Sequence, residues 1–175
     1  KVTSQVEDYI NMTMDSRALV EKCRDYVDGK QWTPEEVTKL RKRGQAPIVN
    51  NRIKVKLQGL LGLVVTRNTD PKAYPRTSKE EEAAEAITDA LRYESDNNNF
   101  DSLKIDVADN FFVEGVAGVI VDVEQSPRGE YDIKISHIPW DRLYYDPFAR
   151  RRDFKDAKYM GIQMWMDEED VMASF

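Results

Sequence analysis

The sequence predicts an α+β fold, mainly helical with a small antiparallel β-sheet, and three observations lead there. Apolar residues recur at three-to-four spacing through most of the first 114 positions, the period of helices that bury one face. From Gly118 to Ile138 the period changes to alternation on either side of a Ser-Pro-Arg-Gly turn, the pattern of a hairpin. The 175 residues are 41% hydrophobic and 33% charged, a balance that supports a core and excludes both a disordered tail and a continuous coiled coil.

In chain order, Val6, Tyr9, Ile10, Ala18, Val20, Cys23 and Val27 predict an amphipathic helix over Ser4–Val27, stopped by Gly29. Thr33-Pro34-Glu35-Glu36 is a full start signal: a capping threonine, proline at the first helical position and a glutamate that closes a capping box. That second helix ends at Gly44. Pro47 disfavours helix at Ala46, so Gln45–Val49 is extended, and Asn50 is placed to cap the next helix. Residues 52–67 are apolar on more than one face, with Gly59 and Gly62 three apart, which predicts a central helix closely packed at its glycines. Pro71 and Pro75 make Asp70–Thr77 a rigid linker. Ser78 with Glu81 forms a second capping box before a helix through Tyr93, which Asn97-Asn98-Asn99 breaks. A helix over Phe100–Glu114 follows.

Strands are expected over Gly118–Glu124 and Glu130–Ile138, joined by the turn Ser126–Gly129. Pro139–Asp153 is an irregular loop whose aromatic density predicts that Trp140, Tyr144 and Tyr145 pack it against the sheet. Lys158–Met166 reads as a third strand of the same sheet, and Asp167 caps a last helix. The linker divides the chain into an amino-terminal helical part, 1–70, and a part of helices plus sheet, 71–175. Lys1 in place of a methionine, and an end at Phe175 about two turns into a helix, suggest a piece of a longer chain.

Composition narrows the function. The formal charge of -6 repels a phosphate backbone overall, so any DNA contact is local. One cysteine, Cys23, permits no disulfide framework within the chain, and with one histidine, His137, no Cys/His zinc site can be assembled, which reads as intracellular. The longest uncharged apolar stretch, Leu57–Val65, is well short of the roughly 18 to 20 residues that span a bilayer. The common phosphate, dinucleotide and zinc-protease motifs are absent, and no cofactor is implied. His137 is either a lone general base or a structural side chain in a strand. Cys23 lies on a helix face and reads as buried core. Asp141, Asp146, Asp153 and Asp156 are either magnesium ligands or carboxylates that cap and turn the backbone.

Charge is distributed in blocks. Val37–Gln58 holds seven basic residues and no acid, for +7, while Lys79–Glu124 holds thirteen acids and three bases, for -10. The blocks are solvated faces, or meet between copies as head-to-tail contacts, or the basic one touches DNA phosphates. On the second alternative Arg41, Lys42 and Arg43 and Glu80, Glu81 and Glu82 are the candidate subunit contacts.

Two stretches together resemble the amino-terminal part of the portal proteins of short-tailed (podovirus-type) bacteriophages. One is Gly29-Lys30-Gln31-Trp32, then Arg41 to Gly44, then Ile48-Val49-Asn50-Asn51-Arg52-Ile53, leading into a long helix and Thr66-Arg67-Asn68. The other is Ile138-Pro139-Trp140-Asp141-Arg142-Leu143-Tyr144-Tyr145-Asp146-Pro147, followed by Ala149-Arg150, Asp153, Asp156-Ala157, Tyr159-Met160 and Trp165-Met166-Asp167. Trp32, Asn50, Arg52, Pro139, Trp140, Tyr145, Asp146, Pro147 and Trp165 are the candidate motif residues. The resemblance implies a non-catalytic subunit of a twelve-membered homo-oligomeric ring at the capsid vertex of the virion, present in the host cytoplasm before assembly. It implies a wing and body role for this part, with channel-lining helices beyond Phe175. It also implies terminase, scaffolding or capsid protein and tail adaptors as partners, no membrane, and double-stranded DNA that passes through without tight binding. An acidic subunit suits such a passage, since neutralised phosphates add affinity and would impede sliding. The residues leave two rivals open: a metal-dependent nuclease or phosphoesterase using Asp141 to Asp156, and a DNA-binding adaptor using Lys39 to Lys56.

Overall fold

The computed structural model describes residues 2–67, 70–125, 129, 131–151 and 153–174. Helix α1 runs Val2–Val27 and is closed by Gly29 at φ 86°, whose left-handed backbone lets the Lys30 amide reach the Asp25 carbonyl at 2.8 Å. Helix α2, Pro34–Lys42, has the expected capping box: Thr33 Oγ1 accepts from the Glu36 amide, and Glu36 Oε2 accepts from the Thr33 amide at 2.8 Å. Helix α3, Arg52–Thr66, is capped by Asn51 rather than by Asn50. The reason is a double duty. Asn51 Oδ1 accepts from the Lys54 amide at 3.1 Å while its Nδ2 donates to the Val27 carbonyl at 2.7 Å, so one side chain starts α3 and finishes α1.

The second capping box does not form. Ser78–Glu80 winds as a 3₁₀ turn, with the Glu80 amide on the Thr77 carbonyl at 3.0 Å, and α4, Glu81–Asn97, starts behind it without a side-chain cap. Helix α4 also runs four residues past Tyr93. Asn99 at φ 48° then turns the chain into α5, Phe100–Glu114, which ends at Gly115, φ 78°.

Strands β1, Gly118–Gln125, and β2, Tyr131–Ile138, pair antiparallel in the register Gly118↔Ile138 through Gln125↔Tyr131. The expected turn residues Ser126, Pro127 and Arg128, the strand start at Glu130, and Asn68 lie outside the described residues. The expected third strand does not join this sheet. Met160–Ile162 (β4) pairs antiparallel with Leu143–Tyr145 (β3) as a separate two-stranded sheet, and helix α6 spans Glu168–Ser174 after Asp167. The loop reading concealed β3, whose Tyr144 lies across the backbone of its partner Gly161; a Cβ at Gly161 would fall within 2.7 Å of that ring. A side chain at 161 would force the Tyr144 ring to move.

Helices α1 and α3 both pack on α5, which also carries β2. Among the described residues the buried apolar ones are few: Tyr9, Val27, Leu57, Ala84 and Ile138. Only Leu57 of α3 is buried, and nothing approaches the Cβ positions of Gly59 or Gly62 within 4 Å, so α3 is peripheral in the isolated chain and not its centre. Its apolar residues occupy several faces, and α1 and α5 cover one. The accessible surface is 14241 Å², against about 8,800 Å² expected for a folded monomer of this mass.

The outer edge of β2 is protected by a side chain. Asn98, just past α4, donates to the Ile133 carbonyl at 2.9 Å and accepts from the Ile135 amide at 2.8 Å, imitating a neighbouring strand. Asn98→Ala is expected to cost roughly 1 to 2 kcal/mol, two hydrogen bonds' worth. Hydrogen exchange at the Ile135 amide should accelerate, while amides in the middle of α1 keep their protection.

Candidate assembly surface

One face of α1 organises the molecule, with Tyr9, Arg17 and Arg24 spaced eight and seven apart and hence aligned. Tyr9 meets the Tyr145 ring at 5.3 Å between centroids, and the Arg17 guanidinium lies 5.2 Å from the Trp140 ring centroid. Arg24 reaches α5: Nε donates to Glu114 Oε1 at 2.7 Å, Nη2 to the same oxygen, and Nη1 to Asp109 Oδ2 at 2.8 Å. Asn110 extends the cluster to the hairpin, its Nδ2 donating to His137 Nε2. This bond ties His137 of β2 to α5. Arg24 was invisible to a reading of apolar spacing, because a cation on a helix counts there as solvent-facing.

The electrostatics of the cluster is unequal. Burial pushes the Glu114 carboxyl up, and the Arg24 bonds draw it only part of the way back, because the side chain is 1% exposed and its Oε2 finds no partner. Burial also works against the Arg24 cation, but its bonds to Asp109 and Glu114 outweigh that and hold it charged.

The segment after the hairpin is held by its own polar groups. Asp146, 3% exposed, accepts from the Phe148 amide at 3.0 Å through Oδ1 and from the Lys158 amide at 3.2 Å through Oδ2. The Phe148 bond, ahead of the opposing effect of desolvation, keeps its carboxyl below the usual range. Asp156 accepts from the Arg150 and Arg151 amides, and Asp153 pairs with Arg151 at 2.9 Å. These carboxylates cap the loop, and no group of three or more potential ligands that could hold a metal ion occurs among the described residues. The aromatics face elsewhere than expected. Half-buried Trp140 and Tyr145 pack on α1, Tyr145 also meets Phe154 at 5.0 Å, and Tyr144 stays within the β3–β4 sheet beside Tyr159. The support seen for Trp140 and Tyr145 comes from α1, which offers Arg17 and Tyr9.

The remaining candidate residues are dispersed. Trp32 donates from Nε1 to the Ile48 carbonyl at 3.2 Å and pins the extended segment 45–49; Pro139 and Pro147 are half-buried at the two ends of the β3 loop. Asn50, Arg52 and Trp165 are exposed, as are Arg41, Lys42, Arg43, Glu80, Glu81 and Glu82. Among the described residues no ion pair joins the basic block of α2–α3 to the acidic block of α4–α5. Cys23 is exposed, not core, at the lip of a groove between α1, α3 and α5. The site is thus a surface with two charged faces and many uncovered apolar side chains.

Two outcomes test the anchoring cluster and the loop. Arg24→Ala leaves Glu114 buried without its partner and should destabilise by roughly 3 kcal/mol at pH 7. Because the folded Glu114 pKa lies above its unfolded value near 4.3, its charged form is penalised as pH rises through that interval, so the Arg24→Ala deficit should shrink on acidification; denaturant titrations at both pH values measure this. Asp146 has the opposite sign. Its folded pKa lies below the unfolded value, so its stabilisation is present above the unfolded pKa and lost as pH falls through the folded one. Asp146→Asn sets an amide donor against a backbone amide and should lower the melting temperature at pH 7 while flattening the acid limb of the stability curve.

Comparison with known proteins agrees with the resemblance in the sequence. A portal protein of Helicobacter pylori bacteriophage KHP30 is 20% identical over 154 residues, covering 88% of this chain and 26% of that protein. The chain therefore spans about a quarter of the length of this relative. The family model described as phage P22-like portal protein matches residues 3–175, nearly the whole sequence, and the chain belongs to that family.

Proposed function

We propose that the chain is the amino-terminal part of a structural, non-catalytic portal subunit, one of a ring of twelve at the capsid vertex of the virion, formed from subunits present in the host cytoplasm. The ring is the conduit for genome packaging and ejection and the docking site for terminase, scaffolding or capsid protein and tail adaptors. Residues 1–70 are an amino-terminal helical part, and 71–175 belong to the wing and body. The family match over residues 3–175 carries this reading. A surface several thousand Å² larger than a monomer of this mass presents supports it, since such area is what subunit neighbours cover.

Of the two rivals, the nuclease reading is weakened because Asp146, Asp153 and Asp156 are engaged within the loop. The adaptor reading keeps one favourable observation, the exposed basic block that forms no salt bridge among the described residues. Electron microscopy of the full-length protein separates the readings: rings with a central hole support the portal subunit, while lone particles that bind duplex DNA with a steep salt dependence support the adaptor.

The charge blocks set orientation in this ring. Each copy offers a basic patch to one neighbour and an acidic patch to the other, which favours head-to-tail contacts and penalises like pairing. Reversing Arg41, Lys42 and Arg43 to glutamate should leave the subunit folded but slow or block ring formation, with partial rescue by reversing Glu80, Glu81 and Glu82 to lysine. Exposed pairs contribute only about 0 to 1 kcal/mol each, so the effect belongs to assembly rate and should weaken with salt. Sedimentation at low salt measures it; normal rings from the triple-glutamate variant would make the basic block a solvated face.

A further inference from the structure

We propose that Trp165 of one copy seats in the apolar groove between α1, α3 and α5 of a second copy, with the acids that follow Trp165 facing the lysines of that groove. The inference rests on the ring reading and names one of its contacts.

Trp165 is 82% exposed, the most exposed large apolar side chain among the described residues. It stands between Met164 and Met166, 67% and 46% exposed, on the irregular stretch that joins β4 to α6. Asp167, Glu168 and Glu169 follow, all exposed. Indole rings rank among the largest contributors to interface energy, and this one is presented to solvent on an arm that nothing in its own chain covers.

The groove has the complementary character. Its volume is about 390 Å³, and its walls include Tyr26, Ile53, Leu57, Leu60 and Phe112. That is room for one large aromatic side chain with a neighbouring methionine. Lys56 contributes to the lining, and Lys22 Nζ sits 5.7 Å from the Tyr26 ring centroid, so cations border an apolar floor. Arg52 and Lys54 continue the positive charge along α3. An apolar anchor followed by acids therefore meets an apolar slot bordered by bases. Because both halves lie on one chain, every copy carries an anchor and a slot, and joining them between copies gives a heterologous contact that repeats from subunit to subunit.

Cys23, exposed at the groove and the only cysteine in the sequence given, is a built-in probe. In the full-length protein, with any further cysteines replaced, maleimide should label Cys23 roughly tenfold more slowly in assembled rings than in dissociated subunits, as expected where access requires rare opening. Trp165→Ala should restore fast labelling in whatever rings remain. Should that variant fail to fold, Lys56→Glu tests the charged border instead: it should weaken protection, and Glu168→Lys in the same chain should recover part of it. Trp165→Cys treated with a short bis-maleimide should yield species of two or more chains through Cys23. Rings in which Cys23 labels at the dissociated rate, or cross-links confined within single chains, would overturn this contact and leave the ring standing. Absence of rings would overturn the ring reading and this inference with it.

Discussion

The guanidinium of Arg24 is the point on which the tertiary structure turns. Two of its nitrogens share Glu114 Oε1, a third takes Asp109, and Asn110 passes the connection to His137 of the hairpin. Three elements are thereby fixed to one side chain. In a chain with a large core such a cluster would be secondary, because the hydrophobic effect would hold the elements and the polar groups would only adjust them. Here few apolar side chains are buried and none is wholly so among the described residues, so directional bonds supply the register that packing does not. A planar fork with several donors suits that task; a lysine offers a point charge and could not hold two carboxylates and an amide in fixed positions.

The same economy of apolar burial explains the asparagines. Asn51 closes α1 and opens α3, and Asn98 occupies the free edge of β2, each substituting side-chain amide bonds for backbone partners that a larger fold would provide. Asn98 keeps a free strand edge from seeking other strands, which matters in a molecule that leaves Val121, Val123 and Ile133 uncovered on the hairpin.

Much of this was legible in the sequence, and most of the failures share a cause. The helices of α1, α2 and α5 follow from caps, glycines and apolar spacing, since those signals act within one or two turns of the backbone. The β1–β2 hairpin follows from alternation. Most of what failed needed partners distant in the chain, whereas the Ser78–Glu81 capping box failed locally, Ser78–Glu80 winding into a 3₁₀ turn. β3 is three residues long and exists because β4 lies opposite, which no local pattern in Leu143-Tyr144-Tyr145 announces. Asn51 displaced Asn50 as the cap because the Val27 carbonyl awaited a donor. Apolarity on several faces of α3 predicts centrality, yet this chain covers one face and leaves Val55, Leu60, Leu63 and Val65 exposed. Of the surface, the charge blocks were readable by counting, whereas the groove beside Cys23 required three helices to be placed first.

These facts bear on how such a chain divides its chemistry between stability and association. The loop after the hairpin uses its carboxylates on its own amides and cations, so Asp146, Asp153 and Asp156 are spent in holding shape. The basic residues of Val37–Gln58, by contrast, form no salt bridge among the described residues, and Val55, Leu63 and Trp165 stand in solvent at 68%, 59% and 82% exposure. Exposed single apolar residues are ordinary, but a surface larger than that of a comparable monomer by more than half is not. A polypeptide that satisfies its polar loop so fully while leaving apolar helix faces and a charge block open keeps much apolar surface in water. Covering those faces with further polypeptide would remove that surface from water, and in the proposed ring the opposite charge blocks would give the covering a direction.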